Sequence, residues 1–437
     1  MPTGLSRDVN FTETLVPPGP AEPAHEQVRR WIETPVDFWE ECAREYGSAV
    51  TLELGSLGRI ILLSDPELVR EVFRLTPDAF EGRQYNEHYR YVMGDRSLLL
   101  QDGSTHRRQR RLLAPMFRHD QLLPKVPLIR EIVLRTITDW PAGTAFNPRP
   151  DLHHIMFQTM VRLVFGDVDS AASVALVRSY RESVARQSGS WGPWRNFSRM
   201  QPQIRALLAE EIAERRTAPD RPGFLTRLAL SVDDEGTPLS NEECEDHVFS
   251  FLVAGVDTSA ILLAWALHWL SREPHVLHRL SEELPGASED ETGRTLLSLP
   301  YLHAVYCETL RMYPVVPTPS GRKLVDDTQV GGCTFSAGTT LVPCTYLVHR
   351  REEIFPESSR FRPERFLNRR FGPAEYFPFG GGARNCVGEM LAQYEFKVAL
   401  STVLQRWHLQ TTNAPPLQPE RHGTLLAPAE QFEVVVQ

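Results

Sequence analysis

The chain has 437 residues, of which 41% are hydrophobic and 24% charged, and its formal net charge is −9 at pH 7. This acidic, ordinary globular composition argues against nucleic acid as the main partner, and the length is sufficient to enclose a sizeable cofactor. No uninterrupted apolar run reaches the roughly 18 residues that span a bilayer, and the N-terminus has no secretory apolar segment. We therefore expect a cytoplasmic monomer without a membrane anchor. We expect a loosely ordered arm over residues 1–25 and a single domain over residues 26–437.

The first part of the chain predicts helices around one strand pair. Residues 26–46 have a helical pattern, residues 48–64 alternate as in a β-hairpin, and residues 65–75 predict a short helix. Residues 80–103 show no clear period and predict a long irregular loop, a kind of segment that is often functional. Helical patterns then dominate residues 104–216.

The second part begins with a segment rich in Gly, Pro and Trp at residues 188–197, which suggests a mobile lid. Residues 240–272 predict the clearest helix, opened by a capping box of Ser240 and Glu243. Short strands and turns follow residue 326, and a last helix is predicted over residues 387–405. The expected fold class is mainly α with a small β part.

The six cysteines are irregularly spaced and form no CxxC pair, so a disulfide framework or a structural zinc site is not expected. For most of them the expectation is a buried, inert thiol. Cys386 differs because it follows three consecutive glycines and precedes a predicted helix. Glycines let the backbone approach another group closely, and a helix N-terminus favours the thiolate. A glycine-rich turn with an incidental cysteine, or a phosphate loop, is the alternative, although no GxxxxGK[ST] pattern is present.

The segment FPFGGGARNCVGEMLAQYE, residues 377–395, resembles the cysteine-ligand signature of the cytochrome P450 family, in the soluble bacterial form. The matching positions are Phe379, Gly380, Gly382, Arg384, Cys386, Gly388, Ala392 and Glu395. The resemblance implies the cytochrome P450 fold with a long central distal helix. It also implies haem b (iron protoporphyrin IX) as cofactor, with Cys386 as the iron ligand and Phe379 and Gly388 beside the haem.

Three further motifs agree with this resemblance. Glu308 and Arg311 are three residues apart in a predicted helix and, taken alone, would suggest a surface salt bridge. They resemble the family's ExxR pair, for which Arg365 would be the third, structural partner. In the predicted long helix, Asp257 and Thr258 resemble the family's acid–alcohol pair, which relays protons and holds an oxygen-bound water. Taken alone, these two residues would suggest only a polar turn in a core helix.

Four basic residues resemble the family's partners of the haem propionates: His106, Arg110, Arg322 and Arg384. Many members have Trp where His106 stands, but a histidine still donates to a carboxylate. The predicted helix that carries His106 and Arg110 also carries Arg107, Arg108 and Arg111. On an acidic protein this cluster suggests either a solvated helix face or a docking patch for an acidic electron donor.

The resemblance places the substrate pocket on mostly apolar residues, namely Tyr85, Trp191, Phe251, Ala254, Val315, Val316 and Leu425. It implies a monooxygenase that activates O2 and hydroxylates or epoxidises a hydrophobic small molecule, in secondary metabolism. The expected electron donors are a ferredoxin and its reductase. Two alternatives stay open: a peroxide-driven hydroxylase or isomerase, and a haem sensor or carrier without turnover. Neither needs both the acid–alcohol pair and a docking patch.

Overall fold

The computed structural model describes residues 16–166, 169–185, 201–287, 290 and 292–437 of the chain. The helices are α1 (Ala24–Glu33), α2 (Pro35–Tyr46), α3 (Pro66–Arg74), α4 (Arg83–Asn86), α5 (Arg90–Met93), α6 (Gly103–Leu113), α7 (His119–Leu122), α8 (Val126–Ile137), α9 (Arg149–Phe165), α10 (Ala171–Ala185), α11 (Gln201–Thr217), α12 (Phe224–Leu230), α13 (Asn241–Leu270), α14 (Pro274–Glu283), α15 (Arg294–Ser298), α16 (Pro300–Met312), α17 (Thr345–Val348), α18 (Arg365–Asn368) and α19 (Glu389–Arg406). The strands are β1 (Ala49–Glu53), β2 (Arg59–Leu63), β3 (Phe80–Glu81), β4 (Arg322–Leu324), β5 (Thr328–Val330), β6 (Cys333–Phe335), β7 (Thr340–Pro343), β8 (Pro419–His422) and β9 (Leu425–Pro428). The predicted mainly α class with a small β part is confirmed.

The N-terminal region differs from the prediction in two ways. Residues 26–46 form two helices, because Pro35 starts α2 and the preceding Thr34 leaves the helical conformation (φ −134°, ψ 56°). The described part of the expected loose arm, from residue 16 onward, packs on β1. There the backbone N–H of Thr51 donates to the carbonyl of Pro18 over 3.0 Å.

The largest sheet has the strand order β1-β2-β7-β4-β3. The predicted hairpin of β1 and β2 is confirmed, with Val50 opposite Leu62, and β7 joins β2 in parallel. Residues 80–103, predicted as an irregular loop, instead form β3 and a series of single helical turns that includes α4 and α5. The segment 188–197, expected to form a lid, lies outside the described residues.

Helix α13 crosses the middle of the molecule and packs along α9. Its predicted capping box is present: Ser240 Oγ accepts from the N–H of Glu243, whose carboxylate accepts from the N–H of Ser240. Gly255 allows the close approach of α9, because a Cβ there would lie 2.9 Å from the sulfur of Met160. The helix is long and apolar enough to span a membrane, although the sequence contains no uninterrupted apolar run of that length. Most of its apolar stretch, however, is buried within the molecule. It is therefore the core helix of this fold.

Candidate active site

The loop before α19 brings Cys386 to the surface of an internal cavity. The N–H of Cys386 donates to the carbonyl of Phe379 over 3.0 Å, which closes the loop. Gly382 has a φ of 63°, and a Cβ there would overlap the carbonyl oxygen of Phe73, so this position requires glycine. Of the six cysteines only Cys386 is accessible, and the other five are buried. The structure therefore exposes a single thiol, that of Cys386, and buries the other five, as the sequence suggested.

The environment of the Cys386 thiol combines opposing effects. Burial raises the pKa of Cys386, and the N–H groups of Gly388 and Glu389, together with Arg110, act to lower it. The helix N-terminus therefore acts on the thiol pKa in the expected direction, but desolvation of the charged form acts more strongly against it. A Cβ on Gly388 would lie 3.9 Å from the Cys386 sulfur, so Gly388 keeps space open beside it.

Glu308 and Arg311 form a buried ion pair, not the surface salt bridge that the spacing alone would suggest. Both side chains are 0% exposed, and Arg311 Nε lies 2.7 Å from Glu308 Oε2. Arg365 Nε lies 3.1 Å from Glu308 Oε1, so the three predicted residues meet. The guanidinium of Arg311 also donates to the carbonyl of His349, whose ring accepts the N–H of Phe377 at 3.1 Å. The cluster therefore connects α16 to the start of the cysteine loop.

The four predicted propionate partners also come together. Arg110 Nη1 donates to the carbonyl of Asn385 over 2.6 Å, and Arg322 Nη2 donates to the carbonyl of Gly381 over 3.0 Å. Burial lowers the pKa of His106 to about 3, helped by Arg384, Arg110 and Arg322. Burial and Arg384 lower the pKa of Arg322 to about 9. The cluster thus holds excess positive charge that an anionic group would stabilise.

The acid–alcohol pair lies on the cavity side of α13. Thr258 Oγ1 donates to the carbonyl of Ala254 over 2.6 Å, the bond that a hydroxyl side chain within a helix often makes to the carbonyl four residues earlier. Asp257 Oδ1 hydrogen-bonds to Nε2 of His153 on α9, and Nδ1 of the same ring hydrogen-bonds to the hydroxyl of Tyr180. His153 was missed by the sequence analysis, because a lone histidine in a helix carries no signal of its own.

A cavity of about 370 Å³ joins these parts. Among the predicted residues that line it are Tyr85, His106, Arg110, Phe251, Ala254, Asp257, Thr258, Val315, Val316, Phe379, Arg384, Cys386 and Leu425. Arg322 and Gly388 are not among the residues that line it, and Trp191 lies outside the described residues. The thiol and the acid–alcohol pair therefore open onto one apolar space.

Comparison with protein-family models matches residues 17–436 to the family described as Cytochrome P450. The chain belongs to the cytochrome P450 family. It is 34% identical to cytochrome P450 135B1 of Mycobacterium tuberculosis, over 94% of this chain and 89% of the relative. It is 30% identical to cytochrome P450 138 of the same species, over 90% of each chain.

Solved P450 structures share the fold. The structure titled "Retinoic acid bound cyanobacterial CYP120A1" superposes with a TM-score of 0.81 at 23% identity, covering 97% of this chain and 100% of that one. A cytochrome P450 named CYP102L1 gives a TM-score of 0.81 at 24% identity, over 97% and 99% of the two chains. The predicted fold and family are confirmed, and with them the general class of haem-thiolate monooxygenase.

The residues present fit the haem of a P450. Arg384 pairs with Asp102, yet its Nη1 is buried without a hydrogen-bond partner among the described residues. Among the described residues, Arg322 donates to the carbonyls of Ser320 and Gly381. Two carboxylates placed here would accept from these donors and balance their charge. The accessible thiol of Cys386 borders the same cavity.

Arg107, Arg108 and Arg111 of α6, which the sequence suggested as a docking patch, each pair with an acidic residue. Arg108, only 22% exposed, pairs with Asp233 at 2.5 Å and with Glu243 at 3.0 Å. Arg107 pairs with Asp78, and Arg111 pairs with Asp234. Arg108 is thus held between two acidic side chains of this P450, whereas the side chain of Arg111 stays 66% exposed.

Proposed function

We propose that Cys386 supplies the thiolate ligand of the haem, and that this P450 inserts one oxygen atom from O2 into a hydrophobic small molecule, by hydroxylation or epoxidation, in secondary metabolism. The observation that carries the proposal is that Cys386, Asp257 and Thr258 border one cavity. When bound, the haem supplies an iron whose thiolate ligand favours cleavage of the O–O bond. The buried cluster of Glu308, Arg311 and Arg365 positions the loop that carries the thiolate.

The basic cluster would orient the cofactor. Arg110, Arg322 and Arg384 would donate to its carboxylates, and so would a ring N–H of His106, which lies close to the same arginines. Burial strengthens each of these hydrogen bonds, because water does not compete for the donors. Phe379, which lines the same cavity, would pack beside the cofactor.

Proton supply would run through Asp257. Its carboxylate is held by Nε2 of His153, and that ring is in turn held through Nδ1 by Tyr180. His153 can pass a proton to Asp257 because the imidazole binds one at either nitrogen. The hydroxyl of Thr258, bound to Ala254 in this structure, would hold a water at the cavity wall. An acid–alcohol pair in this position favours activation of O2 over a peroxide-driven reaction, an isomerase or a haem sensor.

The ligand assignment is tested by the spectrum of the reduced, CO-bound protein. Wild-type protein should show the strongly red-shifted Soret band of thiolate ligation, and Cys386→Ser should lose it. Cys333→Ser is the matched control, because Cys333 is a buried thiol in β6 and its loss should leave the band in place. A red-shifted band that survives Cys386→Ser would contradict the assignment.

The proton path is tested with a substrate found by a spectral-shift screen of apolar compounds. Thr258→Val should release peroxide in place of product, because it removes the hydroxyl and keeps the volume. Thr258→Ser keeps the hydroxyl and should stay coupled. Equal coupling in both variants would remove Thr258 from the mechanism.

The P450 family match covers residues 17–436. Because a P450 domain does not itself generate the electrons it uses, we propose that a ferredoxin and its reductase supply them. Reduction under CO by a reduced ferredoxin tests this without a substrate. The arginine pairs of α6 argue against that helix as the docking site. Failure of any ferredoxin to reduce the protein, with rapid reduction by a flavoprotein, would contradict the choice of donor.

A further inference from the structure

Arg421, in β8, brings a fixed positive charge to the wall of the cavity. Its Nε donates to the carbonyl of Gly423 over 2.8 Å, and its Nη1 donates to the carbonyl of Trp31 over 2.6 Å. The guanidinium carbon also lies 5.2 Å from the centre of the Trp31 ring, within cation–π range. These contacts fix the guanidinium and leave Nη2 without a hydrogen bond to any described residue.

The charge of Arg421 has no acidic partner in the described part of the chain. Two buried arginines away from the cavity do have one: Arg215 pairs with Glu211 and Arg311 pairs with Glu308. Burial lowers the pKa of Arg421, and only the tyrosines Tyr85 and Tyr89 oppose this effect. Placing an uncompensated charge beside apolar walls is costly. An anionic group on a bound ligand would stabilise the guanidinium of Arg421 at this position.

The side chains on which the charge of Arg421 acts are two tyrosines and a histidine, and the charge of Asp257 also reaches Tyr89. The hydroxyl of Tyr85 donates to Thr318 over 3.1 Å, and Tyr89 hydrogen-bonds to Thr424. Burial lowers the pKa of His88 to about 4, helped by the charge of Arg421, so this ring is neutral at pH 7. Arg421 therefore supplies the positive charge here, with tyrosine hydroxyls close by.

This charge is distinct from the basic cluster assigned to the haem carboxylates. The pKa of His106 is lowered by Arg384, Arg110 and Arg322. Arg421 acts instead on His88, Tyr85 and Tyr89. One guanidinium carries one positive charge, so it balances a monoanion and not a doubly charged phosphate.

We propose that Arg421 binds the carboxylate of an amphipathic substrate whose apolar body lies along Phe251, Val315 and Leu425. This inference rests on the proposed function, because it names the substrate class of that same cavity. A carboxylate here would accept from the open Nη2 and would remove the uncompensated charge.

The test compares acids with neutral analogues of the same body, using haem-loaded protein and equilibrium dialysis at pH 7.5. Two pairs are used, dodecanoate with dodecan-1-ol and 4-phenylbutyrate with 4-phenylbutan-1-ol. For at least one pair we expect the acid to bind about 10- to 100-fold more tightly, the range of a charge-assisted hydrogen bond. Absence of any acid preference in both pairs would overturn the proposal.

Two variants locate the effect. Arg421→Gln should abolish the acid preference, and Arg421→Lys, which keeps the charge, should retain part of it. Arg149→Gln is the matched control, because Arg149 donates to the carbonyl of Pro428 at the far end of the same hairpin and does not line the cavity. Its acid preference should match that of the wild type. A preference that survives Arg421→Gln, or one that Arg149→Gln abolishes equally, would assign Arg421 a structural role only.

The reduced-CO spectrum separates this inference from the proposed function. A red-shifted Soret band in every variant, without acid preference, overturns the carboxylate site and leaves the P450 reaction standing. Acid preference without that band supports the carboxylate site and overturns the assignment of Cys386. Dialysis reads binding without turnover, so the two results are independent. If Arg421→Gln fails to retain haem, Arg421→Lys takes its place, and an acid preference equal to that of the wild type would then overturn the proposal.

Discussion

Glu395, on α19, is a buried carboxyl whose protonation should make stability depend on pH. The side chain is 1% exposed and accepts a hydrogen bond from Ser259 Oγ over 2.6 Å. Its second oxygen, Oε1, is buried without a partner among the described residues. Burial raises the pKa of Glu395 from 4.5 to about 8, although the bond from Ser259 opposes the rise. The folded protein therefore keeps a proton at neutral pH that the unfolded chain loses.

The sign and size of the effect follow from proton linkage. Because the folded-state pKa is raised, stability is lost as the pH rises from about 4.5 toward about 8. One pKa unit corresponds to about 1.4 kcal/mol, so the wild type should lose about 3 kcal/mol between pH 5 and pH 8 through this group alone. Glu395→Gln replaces the neutral acid by a neutral amide of the same shape and removes that dependence.

The assay is a set of urea titrations from pH 5 to pH 8, followed by circular dichroism at 222 nm. The difference in free energy of unfolding between Glu395→Gln and wild type should change by about 3 kcal/mol in favour of the variant as the pH rises. Glu214→Gln serves as the control, because Glu214 is 70% exposed, and its difference from wild type should stay nearly constant. Parallel curves for Glu395→Gln and wild type would refute a raised pKa at Glu395.

Other variants test the structural assignments. Glu308→Gln should lower the free energy of unfolding by about 3 to 5 kcal/mol and release haem, because it leaves the buried Arg311 without its counter-charge; near-wild-type denaturation would contradict this. Ser240→Ala should lower it by about 1 kcal/mol through loss of the N-cap, and an unchanged urea midpoint would count against the capping box. Arg108→Ala should lower it by about 1 kcal/mol and leave the rate of reduction by ferredoxin unchanged. Slower reduction with unaltered stability would restore the docking patch.

The sequence predicted those features that depend on neighbours in the chain. The hairpin of β1 and β2 follows from alternation, and the start of α13 follows from Ser240 and Glu243, three residues apart. The cysteine loop was also readable, because its glycines and Cys386 lie within a few residues of one another. Local chemistry was sufficient in each case.

Contacts between distant residues could not be predicted in this way. The partner of Arg108, Asp233, lies 125 residues further along the chain, so the sequence showed a basic helix and not its neutralisation. His153 meets Asp257 across 104 residues. Arg421 lies near the C-terminus among residues without a motif, and only the fold places it in the cavity. The sequence showed which side chains are charged, but it did not show which of them lie next to one another in the fold.

The guanidinium of Arg311 has a consequence for how the chain becomes ordered. It donates to the carbonyls of His349, Ser358 and Arg360, at 3.0, 2.9 and 3.0 Å. The irregular stretch between α17 and α18 therefore takes part of its hydrogen bonding from a side chain of α16, in place of a helix or strand ladder of its own. Local opening of this stretch should then require α16 to release it, so the amide protons of both should exchange with solvent as one cooperative unit.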